Sequence, residues 1–292
     1  MKIHVLSQGG LGNQLFQANY AHYLSTILPG AKIVFTNHNI ALDRDFALDG
    51  FFAQCAHVKD ASKFDSKTDF IVRTSRSLSR RFPKLSKYMR KTLGVLEAED
   101  AFDGMNSTIN SLKKMQSLPI ALRIIGHFQN SDLVNPDSCF EKSLTSFVNA
   151  NRNSAAEEFR GVIHLRQGDY FQNASMGPIA MDYFKEVLSG IDNKAINFAI
   201  HTDGKLDNSW IPSELNYNYR ENSKAVDVLY DASHANIFVG SNSSLSWWAS
   251  YLQNIFNSSA VSIFPSEWMR DLPTSQLPVY RKSWILHKVI WI

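Results

Sequence analysis

This sequence predicts an α/β fold in two successive units, and three observations carry that prediction. Lys2–Leu6 opens the chain as a short apolar strand that runs into a glycine-rich turn and then a stretch of helical apolar period. Halfway along, Val162-Ile163-His164-Leu165-Arg166 repeats the theme, a strand whose far end carries a cation, then Gly168 and Asp169. Around both, strand-like runs alternate with helical ones, as they do where helices cover a parallel sheet.

In the first unit Ile3–Ser7 reads as a buried strand, Gln8-Gly9-Gly10-Leu11-Gly12-Asn13-Gln14 as the turn, and Leu15–Thr26 as the helix. Backbone amides at such a helix start can receive an anion or a sugar hydroxyl. The turn is not a dinucleotide fingerprint, because Leu15 stands where a third glycine is needed. The next strand, Ala31–Phe35, leads to Thr36 and Asn37 rather than to an acid for a ribose. Nicotinamide chemistry is therefore disfavoured. Asp43-Arg44-Asp45 has the spacing of a carboxylate pair that could hold magnesium or manganese against a diphosphate, although no clean apolar strand leads into it. Strand-like runs at Phe70–Arg73 and Leu122–Gly126 continue the unit. Ala150–Phe159, polar and alanine-rich, reads as the link, which sets the domains at 1–155 and 156–292.

The second unit opens with the His164 strand. Alternation puts His164 and Arg166 on one side and Ile163 and Leu165 on the other. The planar fork of Arg166 suits a diphosphate, Gly168 permits a sharp turn, and Asp169 can orient Arg166 or take a proton. The nine residues Val162–Tyr170 also read simply as a strand and a polar turn. A helix over Met181–Leu188 closes at Gly190, and Ala195–Ile200 is a buried strand ending in His201-Thr202-Asp203. In open α/β sheets ligands gather at the carboxyl ends of strands, so Asp203 should lie near the crevice of Arg166; its other reading is a turn aspartate before Gly204. Val226–His234 reads as a helix and Ala235–Gly240 as a strand. Next come Ser241-Asn242-Ser243-Ser244, placed to cap a following helix or to hold phosphate oxygens, and Trp247 and Trp248, which read as packing. After the strand Val261–Phe264, the apolar tail is expected to dock back over 280–292.

Composition narrows the setting. At 44% hydrophobic residues, the chain has ample material for globular cores, and the N-terminus lacks the succession of a secretory signal. Cys55 and Cys139 are far apart in sequence, which suggests neither a disulfide framework nor a zinc site and points to a reducing, cytoplasmic setting. The net charge of +3 hides a segment, Arg73–Lys91, that holds eight lysines and arginines and no acid. Its apolar residues Leu78, Phe82, Leu85 and Met89 recur at helical spacing, which fits either a solvated helix face or peripheral contact with the anionic inner face of the plasma membrane. No nucleic-acid module is visible.

Five stretches together resemble one family: Gly9-Gly10-Leu11-Gly12-Asn13-Gln14-Leu15-Phe16-Gln17, Gly126-His127-Phe128-Gln129-Asn130, His164-Leu165-Arg166-Gln167-Gly168-Asp169-Tyr170, Ser241 to Leu252, and Pro265-Ser266-Glu267-Trp268. In order and spacing they are similar to the bacterial α-1,2-fucosyltransferases of glycosyltransferase family eleven. The resemblance implies a GT-B-type fold, two Rossmann-like domains facing across a cleft, with the acceptor on the N-terminal side and GDP-fucose bound mainly by the C-terminal half. It also implies inverting transfer of fucose to a galactoside, in surface polysaccharide synthesis on an acceptor that can be lipid-linked, without metal or cofactor. Carried over by position, Arg166 would neutralise the diphosphate and His164 line the nucleotide site. Asn242, Ser243 and Ser244 would contact phosphate, and Gly12 and Asn13 would reach the cleft from the first domain. Asp169 and Asp203 are the candidates for a base. The sequence departs from the family at Gln167, where a second arginine is usual, and at His201-Thr202-Asp203-Gly204, where a paired acidic motif is usual. A related transferase with another sugar nucleotide, and a non-catalytic binder of polyanions, are the alternatives.

Overall fold

The computed structural model describes residues 1–37, 46–53, 55–61, 95–97, 102–115, 117–118, 120–136, 138–151, 159–168, 177–191, 196–205, 207–220, 223–270 and 278–292. It forms two compact units, Met1–Ser146 and Phe147–Ile292, each with its own parallel sheet. The α/β class and the two Rossmann-like units are as the sequence predicts.

In the first unit β1 (Lys2–Ser7) lies between β2 (Lys32–Asn37) and β5 (Ala121–Ile125), with β3 (Val58–Ala61) beyond β2 and β4 (Val95–Glu97) beyond β5. All four pairings are parallel. Helix α1 (Leu11–Ile27) buries residues around nearly its whole circumference, Leu15, Phe16, Tyr20 and Leu24 among them, which explains why its apolar pattern is broad rather than a single stripe. Helices α2 (Phe102–Met115) and α3 (Cys139–Asn151) follow. Phe140 of α3 packs 5.4 Å from Phe51, centroid to centroid.

In the second unit β6 (Gly161–Leu165) lies between β7 (Asn197–Thr202) and β9 (Ile237–Val239). Beyond them come β8 (Asn216–Tyr219) on one side, then β10 (Val261–Pro265) and β11 (Ile285–His287) on the other, all parallel. Every residue of β6 is buried, as a central strand covered on both faces requires. Gly161 is needed there, because a Cβ at that position would stand 2.4 Å from the ring of Phe198 on β7. Helix α4 (Met181–Ser189) brings Tyr183, Phe184 and Leu188 into a core with Ile163, Leu165, Phe198 and Val239. Helices α5 (Ala225–His234) and α6 (Ser244–Phe256) complete the unit. α6 is buried along most of its length, and its inward polar groups are satisfied in series. Trp284 Nε1 donates to Ser250 Oγ, which donates to Ser262 Oγ, which donates to Gln253 Oε1, while Gln253 Nε2 reaches the carbonyl of Ala235. Trp247 and Trp248 are buried in this packing. The tail docks as expected, with β11 paired to β10, Trp284 stacked 3.7 Å from Phe264, and Trp291 bridged to Ile179.

Two expectations change. The units divide within α3 rather than at 155, because the first turns of that helix, with Phe140 and Leu144 buried, belong to the first unit. Cys55 and Cys139, separated by 84 positions, are joined as a disulfide with Cα atoms 5.8 Å apart: distance along the chain says little once the fold brings the segment before β3 beside the start of α3. As expected, α4 closes at Gly190, whose amide donates to the Val187 carbonyl. Asp43, Asp45, the strand at Phe70–Arg73 and the basic segment Arg73–Lys91 lie outside the described residues. Among the described residues no helix is long and apolar enough to cross a membrane.

Candidate active site at the switch point of the second unit

From β6 the chain moves to β7 and β8 on one side, then returns to place β9, β10 and β11 on the other. The reversal lies between β6 and β9, and loops leaving their carboxyl ends must part there and open a crevice. Those loops are Arg166-Gln167-Gly168 after β6 and Ser241-Asn242-Ser243 after β9, within two of the three stretches that sequence motifs single out in this half. They touch: the Arg166 amide donates to Ser241 Oγ at 3.1 Å.

On the other side of β6, Asp203 fastens the loop after β7 to the Arg166 loop. One carboxylate oxygen pairs with Arg166 Nη1, and the other accepts from the amides of Gln167 (2.7 Å) and Gly168 (3.1 Å). A Cβ on residue 168 would lie 2.5 Å from that carboxylate and would have to displace it. Gln167 is folded back against β7. Its Oε1 accepts from Thr202 Oγ1 at 3.3 Å, over Gly204, where a Cβ would stand 2.6 Å from the same oxygen. Thr202 Oγ1 in turn accepts from the Gly204 amide. The neutral residue at 167 thus acts as part of a latch between two turns, and Arg166 is the cation presented at the crevice.

His164 sits beneath this surface, 4% exposed, with Nδ1 2.7 Å from Ser246 Oγ. The same hydroxyl accepts from the Ser241 amide at 3.3 Å, so Ser246 ties β6 to the turn that starts α6. Burial first, and then the charges of His201 and Arg166, push the His164 pKa down to about 3. A neutral buried imidazole braces the crevice floor and brings no charge to a ligand. Because this folded pKa lies below the unfolded value of about 6.5, the associated stability is intact above pH ~6.5 and is lost as pH falls toward 3. Denaturant titrations should show wild type losing up to about tenfold in folding equilibrium per pH unit across that window relative to His164→Asn. Identical pH slopes for the two proteins would disprove it.

The serine-rich turn divides by role. Ser243 caps α6, its Oγ accepting from the Leu245 amide at 3.3 Å. Asn242 is fully buried and its Nδ2 donates to the Trp268 carbonyl at 3.1 Å, so it fixes the turn from inside and is not presented to phosphate. Ser244 is half-buried at the first helical position, where amides have no intrahelical acceptor and favour an anion. Gly12 and Asn13 belong to the first unit, where Asn13 Oδ1 accepts from Gln129 Nε2 at 3.0 Å. Asp169 lies outside the described residues.

No family model matches the sequence. A curated relative does: the α-1,2-colitosyltransferase of Escherichia coli is 25% identical over 305 aligned positions, which span 95% of this chain and 96% of that protein. The similarity is to a glycosyltransferase. It runs the length of both chains and so includes both units, in agreement with the family resemblance of the motifs. Solved structures of similar outline include the E. coli heptosyltransferase WaaC with ADP (TM-score 0.48, 10% identity, 99% of this chain and 93% of that one). Another is POFUT1 in complex with GDP-fucose (TM-score 0.48, 14% identity, 90% and 97%).

Several working residues carry no motif signal. Ser246 follows Ser243 by three, a spacing that places both at the start of one helix, but nothing in the sequence pairs it with His164. His201, 1% exposed, is set between Ser223 Oγ (2.9 Å) and Asp231 (3.1 Å), and Arg220 Nε stands 3.5 Å from Asp231. This cluster, in which His201 and Asp231 are buried, stiffens the end of β7, from which Asp203 projects.

Proposed function

We propose that the protein is an inverting glycosyltransferase that moves L-fucose from GDP-β-L-fucose to a galactoside hydroxyl, making an α-1,2 linkage in surface polysaccharide synthesis. The observation that carries this reading is the convergence of Arg166 and the start of α6 on the switch point of the second unit. The acceptor hydroxyl oxygen attacks the anomeric carbon opposite the leaving group, the bond from that carbon to the diphosphate oxygen breaks, its electron pair departs with GDP, and the hydroxyl proton is released to water. Charge grows on the diphosphate as that bond lengthens. An oriented guanidinium and first-turn amides stabilise it without reorganising. Asp203, its oxygens engaged by Arg166 and two amides, is assigned to holding the arginine; it is a poor candidate for the base. The full-length similarity to an α-1,2-colitosyltransferase supports a deoxyhexose and this linkage. A lipid-linked acceptor at the cytoplasmic face, reached through the basic segment 73–91, belongs to the same reading.

That relative also favours a second reading, since colitose is fucose without its 3-hydroxyl: the donor here is a 3-deoxy sugar nucleotide. A donor panel with lactose-type acceptors, following release of the nucleoside diphosphate, separates the two. Turnover with GDP-fucose, undiminished by excess chelator, is the expected result. Turnover only with the 3-deoxy donor would replace fucose in the assignment, and loss of activity in chelator would require a metal.

A further inference from the structure

The tail of the second unit carries a cation that the crevice between β6 and β9 does not use. Residues 279–284 are fastened at four points: Trp247 Nε1 donates to the Val279 carbonyl at 2.6 Å, Tyr280 Oη to the Pro265 carbonyl at 3.2 Å, the Trp284 amide to the Arg281 carbonyl at 3.1 Å, and Trp284 Nε1 to Ser250 Oγ at 2.8 Å. So anchored, the segment holds the Arg281 guanidinium over two rings of α6, 4.9 Å from the Tyr251 centroid and 5.7 Å from that of Trp247. Three other arginines of this unit meet an oxygen: Arg166 pairs with Asp203, Arg220 with Asp231, and Arg270 donates to the Ile292 carbonyl. Among the described residues the Arg281 guanidinium has neither a hydrogen bond nor an ion pair.

Only Nη1 of that group is enclosed; Nε and Nη2 stay open to a ligand. Burial pulls the Arg281 pKa below the ordinary arginine value, as expected for a charge taken partly out of water without a counter-charge. Proteins rarely leave a cation in that state, because its desolvation is costly until an anion meets it. Ring faces attract the charge but accept no hydrogen bond from the outer edge of the fork, so stacking orients the arginine and leaves its donors available. A planar fork with parallel N–H groups matches the oxygens of a phosphate. The tail offers no competing acid: 278–292 includes Arg281, Lys282 and Lys288 and no aspartate or glutamate. Tyr251 follows Ser244 by seven positions, about 10 Å along α6, so this cation stands down the helix from the crevice.

We propose that Arg281, held flat on Tyr251 and Trp247, is a second anion site of this unit, separate from the crevice, and that it takes a phosphate group from solution or from the headgroup of an anionic lipid. The site does not depend on which sugar the protein transfers. Its Nε–Hε NMR signal, assigned by its loss in Arg281→Lys or Arg281→Gln, reports it directly. Titration of the wild-type protein with inorganic phosphate should shift that signal along a saturating curve, with a Kd of about 1 mM or below, while chloride at the same ionic strength leaves it in place. A second arm uses bicelles of phosphatidylglycerol beside bicelles of phosphatidylcholine. A signal moved by phosphatidylglycerol but not by free phosphate would support the site and assign its phosphate to lipid, and flotation on phosphatidylglycerol vesicles should then fall roughly tenfold in Arg281→Gln. If free phosphate moves the signal no more than chloride does, and phosphatidylglycerol no more than phosphatidylcholine, Arg281 is not an anion site and the proposal fails.

Discussion

Arg166→Lys is expected to lower kcat by about a hundredfold, near 2.7 kcal/mol of barrier, with the thermal midpoint within a few degrees of wild type. The reason is geometric. In the proposed function Arg166 meets two demands together, the ion pair with Asp203 on one side and a diphosphate on the other. A guanidinium has five N–H donors in one plane and can serve both, whereas an ammonium is a compact point charge that satisfies one partner at the expense of the other. The side chain is 17% exposed and its pair with Asp203 is partly solvated, so losing the fork removes little folding energy. Steady-state kinetics at saturating donor and acceptor, beside a melting curve, checks both halves. A lysine enzyme within about threefold of wild type would mean that bulk charge suffices, and the fork argument would be lost.

The parts of the fold most legible in the sequence were those whose burial leaves a one-dimensional trace. Ile3–Ser7, Val162–Leu165, Phe198–Ile200 and Val261–Phe264 are near-continuous apolar runs because a central parallel strand is covered on both faces. β8, with the sequence Asn216-Tyr217-Asn218-Tyr219, escaped because an edge strand needs only partial burial and its residues are merely half-covered. β11 escaped differently: it was expected only as a docking tail, and Ile285 and Leu286 remain exposed on the sheet's edge. The Cys55–Cys139 bond is invisible to spacing, since it joins two segments 84 positions apart that only the fold brings together.

At the site, residue types announced the chemistry but not which way each side chain turns. Alternation puts His164 and Arg166 on one side, but only burial reveals that His164 ends beneath the crevice against Ser246. Four polar residues in a row at 241–244 looked like a phosphate cradle. Asn242, the residue with most hydrogen-bonding capacity among them, is fully buried and its Nδ2 donates to the Trp268 carbonyl, so it serves the interior of the turn. Gln167 looked like a missing arginine. The slot above Gly204 and beside Thr202 shows it fitted to a place of its own.

Substitutions at Asp203 should reveal graded losses, and the grading is what distinguishes a positioning group from a base. Asp203→Asn keeps an oxygen for the amides of Gln167 and Gly168 and gives up the charge that holds Arg166, so kcat should fall by roughly tenfold. Asp203→Ala loses both functions. The turn after β6 is then released from β7, and kcat should fall by roughly a hundredfold, with the donor KM rising as well. Gly168→Ala leaves every polar group in place yet pushes the Asp203 carboxylate away, since the new Cβ would start 2.5 Å from it, and it should reproduce much of the alanine phenotype. A carboxylate that took the acceptor's proton would behave otherwise: asparagine and alanine would be equally inactive, and Gly168→Ala, which keeps the acid, would retain more activity than either. The order asparagine above alanine, with Gly168→Ala close to alanine, follows from the latch alone, because only the latch depends on both oxygens of Asp203 and on the space above Gly168.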